Sequence, residues 1–120
     1  MITRTEAIVV YGSSQGSTNG TTPVTAVGAP PTGSTREVVC FRLVNKDSGK
    51  VVARLRKIHS SVAYEFDNAE LNSDEPYWPI TEDSHVALTE AGQSLSVVLD
   101  STPTTESTWI AAWRDTRTLQ

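Results

Sequence analysis

The alternation of apolar and polar positions along the chain is that of short β-strands. Thr5-Glu6-Ala7-Ile8-Val9-Val10-Tyr11 is a β-branched run closed by Gly12, which predicts a first strand. Beyond Arg36, Val39, Phe41 and Leu43 alternate with Cys40 and Arg42, and the run stops at Asn45-Lys46-Asp47-Ser48-Gly49. That is turn chemistry: Asn and Asp bond their own backbone, and Gly supplies positive φ. From Lys50 to Ile58, Val51, Ala53 and Leu55 alternate with Arg54 and Arg56, so these two runs predict a β-hairpin. Val62, Tyr64 and Phe66 recur at period two and predict the next strand. Residues 67–83 form a loop rich in acids and Pro, followed by short strands over 85–88, 94–99 and 107–113. No apolar stripe of helical period persists beyond two turns. The predicted fold is all-β: an antiparallel β-sandwich, jelly-roll-like, of about seven or eight short strands over residues 1–120 as one domain.

Residues 12–35 break the alternation, with Gly, Ser, Thr, Asn and Pro dominating. Such a segment buries too little apolar area to hold itself, which predicts a flexible arm or long surface loop. Within it only Pro23-Val24-Thr25-Ala26-Val27 alternates like a short edge strand.

Composition changes this picture little. At 120 residues and 13.0 kDa the chain is long enough for one core that needs no staples. No apolar run approaches the ~18 residues of a membrane span, so no membrane partner is expected. The start of the chain has no apolar segment behind a basic one, so no secretory signal is expected either. The single cysteine, Cys40, lies among apolar neighbours and reads as a small buried residue. Charge is more informative. Residues 1–57 carry eight Lys/Arg against three acids, whereas 58–113 carry ten acids and no Lys or Arg. Two readings stand: two solvated faces of one domain, or a basic surface of one copy meeting an acidic surface of another. The basic residues are scattered along alternating strands with no aromatic platform among them, which argues against nucleic acid as a partner.

Candidate chemistry is sparse. Gly12-Ser13-Ser14-Gln15-Gly16 matches the nucleophile-elbow pattern after a strand, but the residues that follow cannot start the supporting helix, so catalysis at Ser14 is not expected. His59 and His85, the latter in Glu82-Asp83-Ser84-His85, have acids nearby in sequence but no metal-ligand spacing. Asp67, Glu70, Asp74 and Glu75 fit no calcium loop. No metal or cofactor is expected, and the chain reads as a non-enzyme. Trp109 and Trp113 lie on one face of the last strand and read as core. Tyr77 and Trp78, in a Pro-bounded loop, fit either packing or a contact surface.

From Ala29 to Thr116 the order of features resembles small β-sandwich proteins of bacteriophage virions. The resemblance is carried by Ala29-Pro30-Pro31-Thr32-Gly33-Ser34-Thr35-Arg36-Glu37-Val38, Leu43-Val44-Asn45-Lys46-Asp47-Ser48, the strand from Val51 to Lys57, Leu88-Thr89-Glu90-Ala91-Gly92-Gln93-Ser94-Leu95 and Trp109-Ile110-Ala111-Ala112-Trp113-Arg114-Asp115. It implies a capsid decoration (cement) protein, made in the host cytoplasm and placed on the virion surface. Its partners would be the major capsid protein and itself, as a homotrimer. Expected contact residues are Ile2 and Arg4, Pro23, Val24 and Val27 in the arm, and Tyr77 and Trp78. The competing expectation is a tail or fibre module in which Tyr77 and Trp78, beside Asp74, Glu75 and Asp83, form a platform for a receptor glycan.

Overall fold

The computed structural model describes residues 6–18, 20–81, 83–89 and 92–119. Among these residues are nine strands: β1 (Glu6–Thr18), β2 (Val24–Val27), β3 (Ser34–Val44), β4 (Val51–His59), β5 (Val62–Leu71), β6 (Pro76–Ile80), β7 (Val86–Leu88), β8 (Ser94–Leu99) and β9 (Ser107–Leu119). They form two antiparallel sheets. The front sheet runs β1-β9-β3-β6, with β7 sharing the outer side of β3; the back sheet runs β2-β8-β4-β5. This is the jelly-roll order with one short strand added, so the all-β sandwich expected from the alternation is the fold observed.

The core lies between the sheets. Phe41 and Leu43 of β3, Ala53 and Leu55 of β4, Leu95, Val97 and Leu99 of β8, and Trp109 and Ala111 of β9 are all buried there. Phe41 and Trp109 stack with ring centroids 6.2 Å apart. On β4 and β8 the inward residues are those the alternation marks. On β3 a register shift between Val38 and Cys40 adds one residue, so Val38 is buried and Val39 is not.

Three expectations change. First, β3 and β4 do not form a hairpin: β3 belongs to the front sheet and β4 to the back one, and residues 45–50 cross between them. Alternation tells which residues share a face, not which strand lies alongside. The crossing is fixed by Asn45, which is fully buried. Its Nδ2 donates to the carbonyls of Gly49, Leu71 and Asn72, and its Oδ1 accepts from the Asp47 amide. The hairpin that does form joins β4 to β5 through Ser60 and Ser61, both at positive φ as a tight two-residue turn requires. Second, residues 76–80 are strand rather than loop.

Third, residues 12–18 are strand rather than arm or loop, while 24–27 form the short edge strand expected within that segment and 28–33 connect it to β3. β1 continues through Thr18 for 13 residues and pairs with β9 along its whole length. Gly12 stands opposite Trp113 and Gly16 opposite Trp109. A Cβ at either glycine would lie within 2.6–2.7 Å of the indole. The glycines that weaken β1 by propensity are therefore the sites over which the two tryptophans lie. The segment after β2 is clasped by Arg36, whose Nη1 donates to the carbonyls of Gly28 and Ala29. The same guanidinium binds both oxygens of Asp115 at 2.8 and 2.9 Å and lies over the Trp113 ring at 4.7 Å.

Candidate assembly surface

The inward and outward sides of β1 are set by the Gly–Trp pairs. Ile8, Val10, Gly12, Ser14 and Gly16 share the inward side; Val9, Tyr11, Ser13 and Gln15 face out. On the N-terminal side of Gly12 the inward residues Ile8 and Val10 are exposed by 46 and 56%, and the outward residues Val9 and Tyr11 by 45 and 73%. Apolar side chains on both faces of a strand that pairs on one edge only are unusual for a monomer. Charge on β1 is confined to Glu6 at its start: residues 8–18 contain no charge and no Pro, and its pairing with β9 has no register shift, so most of the strand lacks the usual means of blunting an edge.

The other edges are defended. β2 has four residues and a register shift; β6 has five, two of them proline; β7 has three. β5 is long, with 10 residues, but carries Glu65, Asp67 and Glu70. Its apolar residues Val62, Tyr64 and Phe66 occupy the predicted strand yet are exposed, because this end of the hairpin extends past the core.

The outward face of the front sheet adds Ile110, Trp78 and half-buried Cys40 to Tyr11. Cys40 thus faces outward rather than into the core, because it alternates with inward Phe41 and pairs with Ala112 on the outward side of β9. Arg42 lies over the exposed Trp78 ring, 5.3 Å from its centroid. One polar cluster crosses this face: Glu37 accepts from Arg114 Nη2 at 2.9 Å and meets His85 Nδ1 through its other oxygen. The Arg114 hydrogen bond first, then that of His85, holds the Glu37 carboxyl below the usual glutamate value.

The outward face of the back sheet is charged and internally paired. Arg54 binds both oxygens of Asp100 at 2.5 and 3.0 Å and both oxygens of Glu65 at 3.2 and 3.0 Å. Arg56 and Lys50 approach Glu65 and Glu70. The basic and acidic halves of the sequence therefore meet within one molecule, with basic β4 next to acidic β5.

The expected contact residues scatter. Ile2 and Arg4 lie outside the described residues. Pro23 is exposed, Val24 is half-buried against the core, and Val27 is fully buried, so Val27 offers nothing to a partner. Tyr77 is also core: its hydroxyl donates to Asp67 Oδ2, and burial, then that bond, pushes its pKa up. Trp78 alone of that pair is exposed. Ser14 sits mid-strand with its Oγ donating 2.7 Å to the Ala26 carbonyl, and no helix follows it. His85 pairs with Glu37 of β3. The surface that sequence reasoning missed is the edge of β1.

No protein-family model matches the chain, and no curated protein matches it. Among solved structures, a chain from the disulfide-linked pili that form Bacillus endospore appendages matches with a TM-score of 0.58. The match covers 98% of this chain and 93% of the pilus chain at 7% identity. At that identity the likeness is one of fold.

Proposed function

We propose that the protein is a non-catalytic building block of a surface assembly, joined to its neighbours through the free edge of β1. The observation that carries this is the long edge of β1, without charge or Pro over residues 8–18 and with Ile8, Val9, Val10 and Tyr11 exposed. An edge of this kind is either an aggregation hazard or a docking site, and the same chain blunts each of its other edges. Use of the same fold in a Bacillus pilus supports the reading. Decoration of a phage shell as a homotrimer, bound to the major capsid protein, is its narrower form, and it rests on the sequence resemblance. The glycan-platform alternative is weakened because Tyr77 is buried.

The test is light scattering over a dilution series with the wild type and Val9→Lys, which places a charge on an exposed edge residue. Wild type should form oligomers. The variant should need on the order of tenfold more protein to do so, with an unchanged melting temperature. A wild type that stays monomeric at every concentration and ignores shells overturns the proposal.

A further inference from the structure

We infer that the strand received by β1 is β5 of a second copy, held in the same orientation, so that copies add head to tail. This rests on the reading of β1 as the assembly edge and names its partner.

Among the described residues, two edge strands are long enough to pair at length, β1 with 13 residues and β5 with 10. They occupy diagonally opposite corners, because β1 packs beside β2 and β5 beside β6. They also run in the same direction. β1 and β3 are each antiparallel to β9; β4 returns from β3 across the turn at 45–50, and β5 is antiparallel to β4. Both strands carry their exposed apolar residues at the start, Ile8 to Tyr11 and Val62 to Phe66, at the end of the sandwich where β3 begins. A second copy shifted sideways without being turned over therefore lays β5 along β1 with the two apolar segments level.

The alternatives fit less well. Two β1 strands related by a two-fold axis run antiparallel; paired along their full length they set Ile8–Val10 of each against the polar Ser13–Thr18 half of the other, and a register that instead matches Ile8–Tyr11 with its own copy leaves residues 14–18 unpaired. Two β5 edges bring the acids Glu65, Asp67 and Glu70 of both copies onto one seam, and like charges close together across strands are unfavourable. β1 is uncharged over 8–18 and opposes none of them. Parallel pairing is slightly weaker per residue than antiparallel, and here the apolar match accompanies it. Because the two surfaces differ, the contact is heterologous: it closes into a ring if the rotation per copy allows and otherwise extends as a filament.

The experiment uses full-length chains carrying Cys40→Ser. One, with Ser13→Cys on exposed β1, bears one mass label; another, with Asn68→Cys on exposed β5, bears a second label. They are mixed and treated with a short bismaleimide. The expected product is a mixed-label dimer, and a chain carrying both cysteines should give a ladder of multimers. If the Ser13→Cys chain links only to itself, or if light scattering shows oligomers but no mixed product forms, the β1–β5 pairing is overturned while β1 assembly stands. Monomers without any cross-link overturn both.

Discussion

The two outward faces of the sandwich are held in different ways. On the back sheet, Arg54, Arg56 and Lys50 meet Glu65, Asp100 and Glu70, so the face is charged yet neutralised within the chain. On the front sheet, β1 is held by the fit of two indoles over two glycines, and the outward face carries the cluster at Glu37 and Arg42 over Trp78. The contrast separates a face finished by its own side chains from a sheet left open along one edge. Packing secures β1 without covering it, which leaves its free side for a neighbour.

The contrast is most directly broken at Gly16. Gly16→Val forces a branched side chain into Trp109, which is buried and has little room to retreat. Overpacking of this kind costs about 1–3 kcal/mol. That corresponds to a fall of roughly 4–12 °C in melting temperature by circular dichroism, with a red shift in tryptophan emission as β1 lifts. An unchanged melt would show that the indole fit does not hold the strand.

A smaller effect sharpens the electrostatic side. Glu37 has a depressed carboxyl pKa in the folded protein, so its stabilisation is complete above the unfolded glutamate value, about 4.3, and is lost as pH falls through the folded value. Asp100, lowered chiefly by Arg54, and Asp47, lowered chiefly by the Thr105 amide, act in the same sense. Thermal melts should be steady from neutrality to about pH 5 and fall below that. Glu37→Gln should be less stable at neutral pH and lose a smaller part of its stability on acidification. Equal acid slopes for the two proteins would remove Glu37 from the account.

The smallest effect is expected on the back sheet. Arg54 makes four charged contacts, but they are solvated, and exposed ion pairs contribute little. Arg54→Ala should lower the melting temperature by no more than about 2 °C and leave self-association unchanged. A loss of self-association would move the assembly surface to the back face.

The strands with clean period-two alternation were legible in the sequence. Val51, Ala53 and Leu55, and Leu95, Val97 and Leu99, point inward as their spacing requires. Pairing was not legible: two sandwich neighbours and two hairpin partners have the same alternation, and the Asn45 bonds that send the chain across the sandwich span up to 27 residues. The shift at Val38–Cys40 is invisible for the same reason. Residues 12–18 looked like a loop because Gly and Ser disfavour strands one by one. The signal that would have corrected this is the matched four-residue spacing of Gly12 and Gly16 with Trp109 and Trp113. The assembly edge depended on that correction, since a strand ending at Gly12 offers only half of it. The charge asymmetry was real, and its resolution inside one molecule depended on β4 lying between β5 and β8.

The pairing of β1 with β9 also shapes how the protein comes to be folded. Its register joins residue 6 to residue 119, almost the full length of the chain apart. Contacts of such separation form late, because the loop between them must first be ordered. β1, made before the other described strands, is thus the last of them to find its place. Until β9 is made, Ile8 to Tyr11 are without their partner strand, and the time spent in that state depends on the rate of synthesis.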